Sequence, residues 1–184
     1  TYQFDSGLDY GKVSLQIDNA YGGKLASGSS SMSAELEAGK TYILRVKYSS
    51  TPMDYTIQIG VPNPVTDITG QTSVSGSLTY LTQSDRYTYT ASISGVHQFN
   101  AAGMNFNALR LSVLNPQGQK LNSGSPSVSV TLEAGKTYTL CVETTSHFLD
   151  YTIHVNVPNP PVDVTASAQA AGTLTYSSQI DQYY

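Results

Sequence analysis

The chain is poor in charge, contains one cysteine and has no tryptophan. Charged residues make up 12% of its 184 residues, and the net charge is −4 without any run of basic side chains. Because nucleic acid binding depends on clustered Lys and Arg, we expect no nucleic acid partner. Apolar runs fall well short of the roughly 20 residues that cross a bilayer, so we expect no membrane span.

What the chain does contain is a repeated sequence. Residues 36–42 return as residues 132–138, and residues 61–64 return as residues 157–160, both at an offset of 96 residues. Between residues 36 and 67, 19 of 32 positions are identical to their counterparts. Self-similarity of this kind predicts tandem copies of one domain.

Each copy shows the alternation of apolar and polar residues that is typical of half-buried strands. The segments with this pattern in the more complete copy are residues 85–92, 109–113, 128–132, 138–142 and 151–157. Turn-forming residues separate them, most clearly Asn-Pro-Gln-Gly at 115–118. No segment has helical periodicity. The predicted fold class is all-β, with tandem antiparallel β-sandwich or jelly-roll-like domains.

The phase of the repeat divides the chain unevenly. Thr1 aligns with His97, so the first copy lacks counterparts of residues 76–96. The predicted order is a first copy without its opening strands, a linker, a complete second copy, a second linker and the opening strands of a third copy. These parts cover residues 1–61, 62–75, 76–157, 158–171 and 172–184.

Five short motifs run in a fixed order through the complete copy. They are D-x-Y at 85–87, G-x-H-x-F at 95–99, N-P-x-G at 115–118, L-x-A-G-x-x-Y-x-L-x-V at 132–142 and D-Y-T-I at 150–153. This order resembles the bacterial pre-peptidase C-terminal domain. The resemblance implies a non-catalytic jelly-roll-like sandwich, often in tandem, beside secreted bacterial enzymes or on the cell surface. Some relatives bind calcium or a substrate polymer.

Candidate catalytic residues are few. The chain has no Gly-x-Ser-x-Gly motif, and we interpret its three histidines as surface residues, because none has a histidine counterpart in the first copy. They are His97, His147 and His154, aligned with Thr1, Thr51 and Gln58. Cys141 aligns with Arg45, and we interpret it as a surface or inter-sheet thiol. No enzyme activity is expected.

Calcium is the one cofactor considered, because aspartates recur at matched positions and carboxylates suit a hard cation. The matched pairs are Asp54 with Asp150 and Asp67 with Asp163. Hydrogen bonds in turns and at strand starts account for the same residues equally well. In the resembling family an acidic cluster often lies near the fourth strand, but here Asn-Phe-Asn at 105–107 and Asp-Tyr-Gly at 9–11 take its place. We therefore expect no cofactor.

The leading functional hypothesis is a non-catalytic structural repeat of an extracellular or cell-surface bacterial fibre, stalk or array. A sandwich without its first strands exposes an edge that another strand can pair with, and residues 172–184 are of the missing type. Neighbouring copies would then join head to tail, or the chain would be a window of a longer array. The candidate assembly residues are Leu174, Tyr176, Ile180, Tyr183, Tyr2 and Phe4.

The alternative is a polysaccharide- or protein-binding accessory module of a secreted hydrolase. The chain has 14 tyrosines, and exposed aromatic rings can stack on sugars. Several tyrosines recur at matched positions, such as Tyr42 with Tyr138, which favours a packing role for those residues instead.

Overall fold

The computed structural model describes residues 1–9, 11–48, 53–79, 83–102, 108–144, 149–167 and 169–184. Within these ranges the chain divides into two compact units. The first comprises Thr1–Asn63 with Thr79–Gln83, and the second comprises Pro64–Leu78 with Ser84–Tyr184. Both units are built from antiparallel sheets, which confirms the predicted all-β class.

Six strands lie in the first unit. They are β1 (Tyr2–Asp5), β2 (Val13–Asn19), β3 (Lys24–Ser29), β4 (Ser31–Ala34), β5 (Tyr42–Tyr48) and β6 (Gln58–Gly60). The second unit contains β7 (Thr66–Asp67), β8 (Ser73–Leu78), β9 (Ser84–Thr90), β10 (Gly95–Ala102), β11 (Leu109–Leu114), β12 (Lys120–Gly124), β13 (Ser127–Leu132), β14 (Thr137–Thr144) and β15 (Leu149–Asn156).

The second unit is a complete two-sheet sandwich. One sheet has the strand order β13-β10-β15-β8 and the other has the order β12-β11-β14-β9-β7. Alternate residues of each strand point inward, so that Phe99 and Ile153 of the first sheet join Leu111 and Leu140 of the second in one core, each at most 1% exposed. Burying a large apolar side chain this fully contributes about 1.5–3 kcal/mol.

The first unit repeats six of these strands in the same order. Its sheets are β4-β1-β6, which corresponds to β13-β10-β15, and β3-β2-β5, which corresponds to β12-β11-β14. In the described part of the chain, neither sheet has a counterpart of β8 or β9. The β6 edge and the β5 edge, which those strands would cover, therefore form the margins of the two sheets.

The hairpins that follow β2 in the first unit and β11 in the second are each fixed by an asparagine. The Oδ1 atoms of Asn19 and Asn115 each accept hydrogen bonds from the backbone N–H groups two and four residues further on, at 3.0 and 2.8 Å in both units. An Asn side chain that bonds to the following backbone stabilises a tight turn. The two copies therefore share these turn hydrogen bonds as well as their sequence.

The strand pairings correct the alignment of β1. Phe4 pairs with Met32 and Ile59, in the same way as Phe99 pairs with Val128 and Val155. The offset in this strand is therefore 95 residues, and the counterpart of His97 is Tyr2, not Thr1. At this offset Gln3 and Phe4 match Gln98 and Phe99, but the constant offset of 96 residues that holds in the rest of the copy hides the match.

The segment at residues 62–75, predicted as a linker, belongs to the second unit from Pro64 onward. Thr66 and Asp67 form β7, which pairs in parallel with β9, and Ser73 begins β8. Ile68 is completely buried in the core of that unit. The isoleucine is an apolar side chain in a polar segment, so its burial holds the segment against the sandwich.

Candidate assembly site

Three polar side chains meet in the core of the second unit and connect its two sheets. The hydroxyl of Tyr151 on β15 donates to Oδ2 of Asp85 on β9 at 2.6 Å, and the Tyr87 hydroxyl lies 2.7 Å from it. All three residues are buried. Burial is the largest of the causes that raise the pKa of Tyr151, and the hydrogen bonds to Asp85 and Tyr87 raise it further. Burial also raises the pKa of Tyr87, so both hydroxyls stay protonated.

A glycine makes room for this network. Gly76 on β8 is the ladder partner of Tyr151. A Cβ atom at Gly76 would clash with the Tyr151 hydroxyl and would lie 2.7 Å from the Tyr87 hydroxyl. The close approach of the tyrosine therefore requires glycine at this position.

The first unit presents the same tyrosine without its partners. Five residues at its two open margins, Leu44, Val46, Tyr55, Ile57 and Ile59, form what we call the acceptor face. Tyr55 is 54% exposed and Ile59 is 54% exposed, whereas their counterparts Tyr151 and Val155 are 3% and 6% exposed.

The remaining acceptor-face residues follow the same trend. Leu44, Val46 and Ile57 are only half-buried, whereas all three counterparts in the second unit are buried. Strand β6 also has three residues where β15 has eight. Since residues 149–154 of β15 pair with β8, the shorter strand follows from the lack of that partner.

Residues 162–184, which we call the opening segment, have the local structure of the start of a copy. Val162 pairs in parallel with Tyr183 as Thr66 pairs with Tyr87. The Val164 N–H donates to the Tyr184 carbonyl at 2.7 Å, which repeats the 2.9 Å bond between the counterparts in the second copy. The opening segment therefore repeats hydrogen bonds that begin the second copy, but its described residues form no strand equivalent to β8 or β9.

The loop within the opening segment docks on the second copy. Gln179 is buried, and its Oε1 accepts from the N–H and hydroxyl of Thr175 at 2.7 and 3.0 Å. The Tyr176 hydroxyl donates to the Val96 carbonyl at 2.6 Å. Ser178 lies 2.8 Å from the hydroxyl of Ser129. These bonds hold the loop on β10 and β13.

Residues near both ends of the opening segment line a surface pocket of about 200 Å³. Gly172, Asp181 and Tyr183 are among the residues that line it. A Cβ atom at Gly172 would lie 2.5 Å from Asp181 Oδ2 and 2.7 Å from the Tyr183 hydroxyl. These three residues are the counterparts of the glycine, aspartate and tyrosine that surround Tyr151 in the second unit.

The candidate assembly residues fall into three groups, of which Tyr176 forms one because its hydroxyl bonds to the second copy. Leu174, Ile180 and Tyr183 are 64%, 60% and 42% exposed in the opening segment. Tyr2 and Phe4 lie on β1, which is paired on both sides, so they present no strand edge. Sequence reasoning missed the acceptor face. The D-Y-T-I motif shared by residues 54–57 and 150–153 could have indicated it, since Tyr151 belongs to a complete core.

His97 corrects one interpretation, because it is completely buried and is not a surface residue. Its Nε2 lies 2.9 Å from the Ile93 carbonyl, which can only accept, so Nε2 carries the proton and Nδ1 accepts from the Tyr89 hydroxyl at 3.0 Å. Burial lowers the pKa of His97. His154 is exposed, as predicted, and His147 lies outside the described residues.

Cys141 is a buried thiol on β14, with Arg86 and Ser112 as its ladder partners. Burial raises its pKa, which disfavours the reactive thiolate. In the first unit the corresponding position is Arg45, whose Nε lies 2.5 Å from the carboxylate of Asp18. This bond lowers the pKa of the Asp18 carboxyl group.

Two of the aspartates considered for calcium shape turns. Oδ1 of Asp67 accepts from the N–H and hydroxyl of Thr69 at 2.9 and 2.7 Å, and Asp163 bonds to Thr165 in the same way at 2.8 and 2.6 Å. These hydrogen bonds lower the pKa values of both carboxyl groups. Among the residues that the structure describes, no three His, Cys, Asp or Glu side chains are grouped closely enough to hold a metal ion.

No family model matches the chain, and no curated protein matches it. Among solved structures, it is similar to a periplasmic inhibitor of g-type lysozyme from Aeromonas hydrophila, with 16% identity and a TM-score of 0.41 over 50% of this chain and 96% of the inhibitor. It is also similar to the pre-peptidase C-terminal domain of a collagenase from Bacillus anthracis, with 14% identity and a TM-score of 0.43 over 53% and 99% of the two chains. In the described residues, no helix is long and apolar enough to cross a membrane.

Proposed function

We propose that the protein is a non-catalytic structural repeat of an extracellular bacterial fibre, stalk or surface array, in which copies join head to tail by strand complementation or follow one another along a longer chain. The observation that carries this proposal is the exposure of apolar positions that are buried in the complete copy. Leu174 is 64% exposed and its counterpart Leu78 is completely buried, and the difference at Tyr55 is of similar size.

The acceptor face and the opening segment are complementary surfaces. The acceptor face lacks the counterparts of β8 and β9, and the opening segment carries those counterparts without the strands that cover them. An unpaired strand edge beside an apolar face is a template for another strand. Because the acceptor and the donor surfaces differ, the contact is head to tail, and such a contact gives an open filament unless it closes into a ring.

The proposal that the protein is non-catalytic rests on the burial of His97 and Cys141, the side chains best suited to catalysis. The His97 ring is held in the core by hydrogen bonds at both nitrogens, and Cys141 is buried. The extracellular bacterial location rests on the motif order that resembles the pre-peptidase C-terminal domain.

Self-association of the 184-residue chain tests the proposal. We expect sedimentation velocity to show a series of oligomers that lengthens as the protein concentration rises, and electron microscopy to show linear assemblies. Amide hydrogen exchange in β5 and β6 should slow in the assembled state, because these strands gain partners. A chain that stays monomeric at every concentration, with slowly exchanging β5 and β6 amides, would contradict the proposal.

A polysaccharide-binding module remains the second candidate, and exposed tyrosines favour it. Tyr21 is 98% exposed and Tyr48 is 62% exposed. Pull-down of the chain on insoluble polysaccharides distinguishes the two candidates. Retention that is lost in a Tyr21→Ala or Tyr48→Ala variant would support binding to a sugar polymer.

A further inference from the structure

We propose that the outer face of β10 and β13 is a docking surface for the next copy along the chain, and that this contact recurs at each junction between copies. The segment that docks is residues 175–179, which we call the docking loop, and its counterpart in the second copy is residues 79–83. The proposal rests on copies that follow one another along one chain. It does not require strand complementation between molecules.

The docking surface is built around a buried glutamine. Gln98 lies between His97 and Phe99, which point into the core, so its side chain points to the outer face of the sheet. It is nevertheless only 7% exposed. Its Nε2 donates to the carbonyl and hydroxyl of Ser177 in the docking loop at 3.3 and 3.2 Å, and its Oε1 accepts from Asn156 at 3.3 Å. The loop thus covers an outward-facing side chain and bonds to its amide, as a buried polar group requires.

Two further hydrogen bonds hold the docking loop on the strands. The hydroxyl oxygens of Ser178 and Ser129 lie 2.8 Å apart, which ties the loop to β13. The Tyr176 hydroxyl donates to the Val96 carbonyl on β10 at 2.6 Å. Because β15 pairs with β10 only from Gln98 onward, this bond lies just beyond the end of that ladder. The docking loop therefore bonds to both strands of the surface.

The docking loop has the same internal hydrogen bonds in both copies. Oε1 of Gln179 accepts from the N–H and hydroxyl of Thr175 at 2.7 and 3.0 Å. In the second copy, Oε1 of Gln83 accepts from the N–H and hydroxyl of Thr79 at 2.7 and 3.1 Å. Both glutamines are buried. The loop of the second copy lies inside the chain between β8 and β9, so these bonds do not depend on a chain end.

The loop of the second copy also belongs to the unit that precedes it. Thr79–Gln83 is part of the first unit, although β8 and β9 on either side of it are part of the second. The first unit carries the same receiving side chains, since Gln3 and Ser33 are ladder partners there as Gln98 and Ser129 are in the second unit. We therefore expect the loop of the second copy to dock on β1 and β4.

A recurring contact of this kind would couple neighbouring copies. In repeat proteins each unit contacts its neighbours, and the interfaces between them add to the stability of the array. The docking loop supplies such an interface from the start of each copy, because its counterpart in the second copy directly follows β8.

Disulfide cross-linking within the chain tests both junctions. In a Cys141→Ser background, Ser129→Cys combined with Ser178→Cys should form an intramolecular disulfide under mild oxidation, because the two hydroxyl oxygens lie 2.8 Å apart. The counterparts at the junction of the first two copies are Ser33 and Thr82, of which Thr82 lies outside the described residues. Ser33→Cys combined with Thr82→Cys should form a disulfide to a similar extent.

A shift along the same strand provides the matched control. Ser31 and Ser33 are both exposed on β4, two residues and about 6–7 Å apart. Ser31→Cys with Thr82→Cys should therefore cross-link several-fold more slowly than Ser33→Cys with Thr82→Cys. The loss of free thiols, followed at a concentration where the chain is monomeric, measures both rates. Equal rates for the two pairs, or a disulfide at Ser129 and Ser178 alone, would overturn the proposal of a recurring contact.

Removal of one hydroxyl tests the docking without a change in the shape of the loop. Tyr176→Phe keeps the ring and removes the bond to the Val96 carbonyl. Amide hydrogen exchange at Thr175 and Gln179, whose N–H groups are bonded inside the docking loop, should become about two- to tenfold faster. Tyr184→Phe changes a tyrosine that is 70% exposed in the same segment and should leave the exchange unchanged. Identical exchange in both variants and the unchanged protein would contradict the role of Tyr176.

The outcomes distinguish this proposal from head-to-tail assembly. A chain that stays monomeric at every concentration but forms both disulfides would support the docking surface while strand complementation fails. A chain that assembles into filaments but forms neither disulfide would overturn the docking surface alone.

Discussion

The hydroxyl of Tyr151 donates a hydrogen bond of 2.6 Å to Oδ2 of Asp85, and this bond joins the two sheets of the second unit inside its core. The corresponding residues elsewhere in the chain are far apart in the sequence. Tyr55 belongs to the first unit and Asp181 to the opening segment. The counterparts of the two bonded residues therefore lie in different copies of the repeat.

Removal of this bond should destabilise the second unit. A hydrogen bond to a buried carboxylate contributes about 1.5–3 kcal/mol, so we expect Tyr151→Phe to lower the free energy of unfolding of the second unit by that amount. The measurement is amide hydrogen exchange in β9 and β14, which reports this unit alone. Tyr55→Phe is the matched control at a concentration where the chain is monomeric, and it should change stability by less than about 0.5 kcal/mol. Equal effects of the two changes would contradict the assigned network.

The same network predicts a loss of stability at alkaline pH. The raised pKa of Tyr151 means that the unfolded chain releases this proton near pH 10, whereas the folded chain retains it to higher pH. Since the folded state then binds more protons, its stability falls as the pH rises above about 10. The unfolding free energy, measured from neutral pH to pH 11, should fall less steeply in Tyr151→Phe than in the unchanged protein.

The sequence was sufficient to predict the class of fold but not to identify the residues of the acceptor face. The period of two in segments such as residues 138–142 predicted the strands, because inward and outward side chains alternate along them. The similarity of the two copies predicted that the first copy lacks counterparts of residues 76–96. The acceptor face was not found, since Tyr55 has the same sequence context as buried Tyr151 and only their surroundings in three dimensions differ.

His97 illustrates a second limit. An alignment by constant offset paired it with Thr1, and the difference in residue type indicated a dispensable surface position. The strand pairings shift the alignment of β1 by one residue, so that the counterpart of His97 is Tyr2. Tyr2 is partly buried and packs on the core of the first unit. A one-residue shift reverses which face of a strand is buried, so the wrong offset also reversed the burial.

The buried His97 should make the second unit sensitive to acid. Its lowered pKa means that, as the pH falls below about 6.5, the unfolded chain gains a proton on this ring before the folded chain does. Stability is therefore present above that pH and is lost as the pH decreases. We expect the decline in unfolding free energy between pH 7 and pH 5 to be smaller in His97→Asn than in the unchanged protein. An equal decline in His97→Asn and in the unchanged protein would contradict this assignment.

Cys141 should be unreactive in the folded protein. The thiolate is the reactive form, and burial both raises the thiol pKa and blocks access. Because the chain has a single cysteine, a thiol reagent reports this position alone. We expect labelling at pH 8 to be slow in buffer and fast in denaturant. Fast labelling of the folded protein would show that β14 is accessible on its outer face.

Two leucines at matched positions test whether the core of the first unit is incomplete. Leu140 is 1% exposed, whereas Leu44 is half-buried at the open margin of β5. Truncation of a buried leucine to alanine costs about 2–5 kcal/mol, because it removes apolar contacts and leaves a cavity. We therefore expect Leu140→Ala to destabilise the second unit by this amount, and Leu44→Ala to destabilise the monomeric first unit by less than half as much. When the chain is concentrated enough to associate, the cost of Leu44→Ala should rise towards that of Leu140→Ala, since strand complementation would bury Leu44. A cost that does not depend on protein concentration would argue against the acceptor face as the site of assembly.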